Sequence, residues 1–319
     1  MARGGCRAMK HYIVQRLLYS LITLWLLSVI VFAVVRFTGD PALLMSDYPG
    51  VRPEDLAALR MQWGLDKPYL TQYAMFISNV VRGDLGTSFQ FNMPVLDVYL
   101  KRLPNSLQLG LAGFLISISI GIPLGMMSAV RVDSWWDSAG KLMALLGLSV
   151  PGFFVALVLI LFFAVYLRWL PVLGKGQDPW DVQYLIMPAF ALGWYFAGSM
   201  LRLTRSSMLE VLGTEYVKLA RFKGTPERVV ISKHAFRNAM LPVLTLAGLQ
   251  LVLMINVAVV VEVIFSWPGI GRLLMEGLLS RDFPVVQGVV LMAGTMIVAV
   301  NLLIDILYAY IDPRIRLMR

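Results

Sequence analysis

An all-α integral membrane protein with six transmembrane helices and cytoplasmic N- and C-termini is the fold class this sequence predicts. Three observations lead there. The 319-residue chain is 58% hydrophobic and only 15% charged, with a mean hydropathy of +0.73, far greasier than a soluble domain. Six uncharged stretches, Leu17–Val35, Leu103–Val130, Leu142–Leu167, Val182–Leu201, Asn238–Val261 and Phe283–Ile304, have the length of about 20 residues that crosses a bilayer core. Lys and Arg are unevenly spread between them. With the N-terminus inside, the inner segments hold 17 basic and 7 acidic residues, and the outer segments 11 and 12, as positive-inside topology requires. Nothing alternates with a period of two, so the backbone is satisfied within helices, not in a barrel.

The net charge of +9 therefore reflects topology and anionic membrane lipid, and gives no reason to expect nucleic acid as a partner. Cys6 is the single cysteine, which excludes an intrachain disulfide and a cysteine metal cluster. The two histidines, His11 and His234, form no HExxH pattern, so a membrane metalloprotease lacks its zinc ligands. Gly147-Leu148-Ser149-Val150 has Val at the fourth position of a membrane serine-hydrolase elbow, and no histidine lies within the spans to activate Ser149. Lys175 follows Gly174 but is itself followed by Gly176, so there is no phosphate-binding loop of the GxxxxGK[ST] type. Charges inside the spans are few, which leaves an ion-coupled carrier without its usual ligands. We assign no catalytic residue, cofactor or metal. A solute moved by this chain needs energy from another subunit.

Along the chain, the first span is expected to be retained, because no small-residue cleavage site follows it. Residues 36–102 form a long outer segment with seven basic and seven acidic residues. It carries Gly39-Asp40-Pro41, an amphipathic stretch Pro53–Trp63, Leu65-Asp66-Lys67-Pro68 and Gly83-Asp84-Leu85-Gly86, and is expected to be a small folded cap. Leu103-Pro104-Asn105-Ser106 reads as the start of the second span, with a proline and capping residues. Gly121 and Gly125 form a small-xxx-small pair for close helix packing. Ser149-Val150-Pro151-Gly152 predicts a break in the third span. Residues 103–308 are expected to form the main transmembrane domain, with spans at about 103–130, 142–167, 182–201, 238–261 and 283–304, an inner loop at 202–237, and a tail at 309–319. Glu262–Asp282 reads as a re-entrant or interfacial helix at the outer end, around Trp267, Pro268, Gly269 and Gly271.

One stretch stands apart. Glu215–Pro242 is long, basic and polar, and Lys218, Arg221, Lys223, Arg228, Lys233 and Arg237 face only Glu215 and Glu227. At its centre Gly224 reads as the C′ glycine of one helix, Thr225 as an N-cap, Pro226 as the first residue of a second helix, and Glu227 as an acid in its first turn. Two short helices with a fixed elbow, on the inner face, follow from that pattern.

The same residues carry a family resemblance. Ala220-Arg221-Phe222-Lys223-Gly224 and His234-Ala235-Phe236-Arg237-Asn238-Ala239-Met240-Leu241-Pro242 resemble the inner-loop signature of permease subunits of binding-protein-dependent ABC importers, in the dipeptide, oligopeptide and nickel group. The general form of that signature begins with a Glu-Ala-Ala triplet; here Lys218-Leu219-Ala220 stands in its place, keeping the last Ala and Gly224 but not the Glu. Thr204–Leu212, Phe265–Arg272, Arg281–Gly288 and the three outer-loop motifs Gly39-Asp40-Pro41, Gly64–Pro68 and Gly83–Gly86 are similar to further parts of the family, along nearly the whole chain.

The resemblance implies an ABC transporter type-1 permease fold and a mechanism. A second homologous permease pairs with this one around the path, two cytoplasmic ATP-binding subunits receive the elbows and hydrolyse ATP, and an extracytoplasmic solute-binding protein delivers dipeptides or oligopeptides. Nickel chelates, glutathione or opine-like solutes are the alternative cargo. It further implies that Lys218, Ala220, Arg221, Lys223, Gly224, Thr225, Pro226, His234, Arg237 and Asn238 form the ATPase-coupling segment.

Overall fold

The computed structural model describes residues 2–37, 61, 66–176, 178 and 181–311, with side chains except at 2–12, 255, 256 and 304–311. Gly39-Asp40-Pro41, nearly all of the amphipathic stretch 53–63 and the tail after residue 311 lie outside the described residues.

The chain runs through α1 (Ala2–Phe37), α2 (Tyr69–Val81), α3 (Val95–Val130), α4 (Trp135–Ser149), α5 (Gly152–Leu159) with a π-helical continuation Ile160–Tyr166, α6 (Val182–Leu212), α7 (Glu215–Phe222), a turn Glu227–Val229 with a second π-helical stretch Val230–Phe236, α8 (Arg237–Ile264), α9 (Ile270–Leu279) and α10 (Phe283–Ile311). Among the described residues, five helical segments are long and apolar enough to cross a membrane, and the bent pair α4–α5 makes a sixth span if counted as one. That bend is 104° and falls at Pro151, as expected. The residue before a proline is driven out of the helical region, and Val150 is extended, with φ −88° and ψ 118°.

The second span begins earlier than the sequence reading placed it. Helix α3 starts at Val95, where the Pro94 carbonyl accepts from Asp97 N at 3.0 Å and Val98 N at 3.2 Å, and Asp97 supplies an acid to the first turn. Pro104 lies inside the helix. Asn105 and Ser106 therefore do not cap α3, and their side chains are available for other work.

Two compact units divide the chain: residues 1–102 with 273–319, and residues 103–272. In the first, α1 packs on α10, where a side chain at Gly294 would collide with Leu27. Phe32 of α1 meets Tyr73 edge-on at 5.4 Å and Phe76 at 5.6 Å, fastening α2. The loop after α2 is gathered by one buried carboxylate. Asp282 accepts from Ser88 Oγ at 2.6 Å, Phe89 N at 2.9 Å and Gln90 N at 3.1 Å.

In the second unit, α6 is the central helix. Met187, Ala191, Leu192, Phe196, Met200 and Leu201 are all buried. Glycines let α3 approach it closely: a Cβ at Gly121 would lie 2.7 Å from Met200, and one at Gly125 2.7 Å from the Leu201 carbonyl and Thr204, as the small-xxx-small reading requires. A polar clasp joins three helices. Buried Gln250 of α8 donates to Ser199 Oγ at 2.8 Å and to the Phe196 carbonyl at 3.2 Å on α6, and accepts from Ser117 Oγ of α3 at 3.4 Å. In a solvent as apolar as the side chains, such bonds and close packing replace the hydrophobic drive between helices.

Candidate functional site

The basic elbow is built by three local devices. Helix α7 opens with Glu215 and closes with Arg221 in its last turn, each placed to complement the helix dipole. It ends in a Schellman turn: Thr225 N donates to the Ala220 carbonyl at 3.3 Å and Gly224 N to the Arg221 carbonyl at 2.9 Å. Gly224 has φ +75°, a conformation that an L side chain adopts only at a cost. Nothing lies within 4 Å of where its Cβ would be, so the glycine serves the backbone turn, and the space over it is open.

The next helical turn is registered one residue later than the sequence suggested. Pro226 stands at the N-cap, with φ −55° and ψ 138°, and its carbonyl accepts from Val229 N at 2.8 Å and Val230 N at 3.1 Å. Thr225 makes no side-chain cap. With ψ 138° Pro226 itself lies outside the helix, so Glu227, not Pro226, is the first helical residue.

Side chains then stitch the elbow. Arg221 donates to Glu227 through Nη2 at 2.7 Å and Nε at 3.2 Å, a two-pronged grip that planar guanidinium favours. Hydrogen bonding to Glu227 raises the Arg221 pKa above its ordinary value. Lys218 donates to Glu215 at 2.8 Å. Tyr216 Oη donates to the His234 carbonyl at 3.1 Å, and Asn238 Nδ2 donates to Tyr216 Oη at 2.7 Å and to the same carbonyl at 3.0 Å. So Ala220 and His234 contribute their carbonyls, Asn238 its amide, and Lys223 and Arg237 stay exposed. Below them, Ala129, Met208, Ala235 and Ala239 form a buried apolar base.

Sequence reasoning passed over Tyr216 and Phe222. Tyr216 bonds to residues distant in sequence, which no local pattern reveals. Phe222 is 87% exposed and Leu219 53%, on an otherwise charged surface; a polar stretch with one protruding aromatic was the available signal.

Residues 262–272 contribute to a second constellation. Trp267 is buried and donates from Nε1 to the Asn105 carbonyl at 2.9 Å, while Lys175 lies 5.6 Å over its ring and donates to Asn105 Oδ1 at 2.5 Å. Asn105 Nδ2 donates to the Pro268 carbonyl at 2.8 Å. Beneath this lies Glu262, 1% exposed, whose carboxylate accepts from Gly271 N at 2.7 Å, Arg272 N at 3.1 Å and Ser106 Oγ at 2.6 Å. Ser106 Oγ in turn accepts from Ile270 N at 2.7 Å. Glu262 thus satisfies the N-terminus of α9 with a negative charge. Gly269 and Gly271 leave it room, since a Cβ at Gly269 would lie 2.3 Å from the carboxylate and one at Gly271 2.5 Å from Val259 Cα. Glu262 was not among the predicted site residues: Ser106, one of these three partners, lies 156 positions away on α3, and the other two are backbone N–H groups of α9.

A helical membrane chain with a stitched basic elbow can be compared with known proteins. Residues 121–317 match the family described as "Binding-protein-dependent transport system inner membrane component", and residues 9–110 match the N-terminal component of such systems. The chain belongs to this family. It is an inner-membrane permease component of a binding-protein-dependent transport system. A peptide transport system permease protein of Brucella abortus is 40% identical over 314 residues, 97% of this chain and 99% of the relative. The dipeptide transport system permease protein DppB of Escherichia coli (strain K12) is 39% identical over 336 residues, again 97% and 99%. The glutathione transport system permease protein GsiC of Escherichia coli O6:H1 is 39% identical over 309 residues, with the same shares.

Proposed function

We propose that this chain forms half of the solute path of an ATP-driven importer of short peptides. Its termini and elbow lie in the cytoplasm, where two ATPase subunits hydrolyse ATP; one receives this elbow and the other that of a second, homologous permease. A solute-binding protein delivers cargo to the outer face, and the chain itself performs no catalysis. The segment Lys218–Asn238 is the coupling element, and the Trp267–Gly271 turn closes the outer end.

One observation carries the reading: Phe222 protrudes from a turn held rigid by the Schellman bonds and the Arg221–Glu227 grip. A large exposed aromatic ringed by charge is the composition of a docking anchor. Lys223, Arg228, Lys233 and Arg237 make that rim basic, which suits an acidic or polar rim on the ATPase. Stiffness matters because a lever transmits displacement only if it does not bend itself. The names of the relatives favour short peptides as cargo, and glutathione belongs to that chemical class.

Copurification tests the coupling reading. Tagged chain coexpressed with its neighbouring transport genes is expected to retain an ATPase, and Gly224→Asp to lose it. Wild-type chain that purifies without any ATPase would end the importer reading. Uptake of a labelled dipeptide, with glutathione as competitor, tests the cargo; uptake unaffected by deleting the chain would remove peptides.

A further inference from the structure

A buried ion cluster sits immediately above the base of the elbow, and nothing in the coupling reading uses it. Asp137, near the start of α4, is completely buried. Arg205 of α6 grips it with a fork, Nε to Oδ1 at 2.7 Å and Nη2 to Oδ2 at 3.1 Å. Ser128 of α3 donates to Oδ1 at 2.6 Å, Asp133 N to Oδ2 at 3.1 Å, and Lys141 lies 2.8 Å from Oδ2. Asp133 reaches this position by taking φ +60°, a conformation that Asp tolerates better than most residues. One carboxylate therefore gathers α3, the α3–α4 turn, α4 and α6.

Its neighbours connect it to the elbow. Ser128 precedes Ala129, and Arg205 lies one turn before Met208; Ala129 and Met208 belong to the apolar base that also contains Ala235 of the π-helical stretch and Ala239 of α8. Gly140 permits the approach, since a Cβ there would lie 3.0 Å from Ser128. Apolar side chains of similar volume often hold helices together as well as a buried ion cluster does. What a fork on a carboxylate adds is direction, because it accepts one orientation of the guanidinium. On α6 that orientation sets the rotation of the helix about its axis, and α6 leads directly into α7.

We infer that Asp137 is a positioning residue for coupling: by clamping Arg205 it sets the rotation of the inner end of α6, so that movement of the elbow is passed to α3, α4 and α6 together. The inference rests on the elbow being the ATPase-coupling element.

The test uses the whole complex, reconstituted in vesicles, with ATP hydrolysis and dipeptide uptake read from the same preparation. Asp137→Asn is expected to assemble and hydrolyse ATP, while uptake per ATP falls by about tenfold. Arg205→Lys, which keeps the charge but not the fork, lowers the same ratio, and it carries the test if Asp137→Asn fails to assemble. Lys141→Met leaves the fork intact and keeps the ratio. Overturning results are an unchanged ratio in assembled Asp137→Asn and Arg205→Lys complexes, uptake and hydrolysis falling in equal proportion, or an equal loss of ratio in Lys141→Met. A wild-type chain that captures no ATPase would instead remove the coupling reading, and this inference with it.

Discussion

Glu227 grips Arg221 across the Gly224 turn, with hydrogen bonds of 2.7 and 3.2 Å, and so joins the last turn of one helix to the first turn of the next. Both side chains are substantially exposed, and exposed pairs contribute only about 0–1 kcal/mol. The pair defines an angle more than it stabilises a fold. Glu227→Ala is therefore expected to shift the thermal unfolding midpoint of the detergent-solubilised chain very little, yet to reduce ATPase retention on copurification. A large drop in the midpoint with retention intact would reverse that assignment.

Phe222 offers the complementary case. At 87% exposure its ring contributes almost nothing to folding of the chain alone. Phe222→Ala should leave thermal stability unchanged and weaken ATPase binding by about tenfold or more, the scale of an anchor residue. A photoreactive residue at position 222 should cross-link to the ATPase; cross-links to lipid alone would assign the ring to the membrane surface.

Gly224 separates conformation from contact. Since nothing lies near its Cβ, Gly224→Ala meets no steric block, and its cost is that of a positive φ, about 1–2 kcal/mol. Gly224→Asn should cost less, because Asn enters that region more readily. Amide exchange across residues 219–230 should rank the variants glycine, then Asn, then Ala in protection. Equal protection in all three would mean that the turn does not depend on the positive φ.

In the Trp267–Gly271 turn, Gly269→Ala places a methyl group in the Glu262 carboxylate, 2.3 Å from it. Glu262→Ala instead strips the acceptor from Gly271 N, Arg272 N and the Ser106 hydroxyl, and a buried donor without a partner costs about 1–3 kcal/mol. Both variants should lower the unfolding midpoint and increase thiol labelling of a Ser266→Cys reporter. Labelling that matches the parent reporter would show that Glu262 does not hold this turn.

Much of the basic elbow was legible from sequence. Gly224 ends its helix with the expected left-handed turn, Glu227 lies in the first turn that follows, and the break at Pro151 falls where Ser149–Gly152 placed it. Each is a local effect, set by the backbone of the residue itself or its neighbour. The start of α3 was misread for the same reason: Pro104-Asn105-Ser106 has the composition of a helix start, but Pro94 begins the helix and the later three residues are held within it. The N-cap falls at Pro226, not Thr225, because Pro226 takes a non-helical ψ of 138° and leaves Glu227 as the first helical residue.

Hydropathy and the placement of Lys and Arg were enough to predict a helical membrane protein, because apolar length and flanking charge act on each segment separately. The family was likewise recognisable in a continuous stretch, Ala220–Pro242. Tertiary structure alone decided which side chains complete these elements. Tyr216 with Asn238, Glu262 with Ser106, Asp282 with Ser88, and Asp137 with Arg205 are pairs whose members acquire a role only when distant helices bring them within hydrogen-bond reach, and hydrogen bonding depends on distance and angle that no linear pattern encodes.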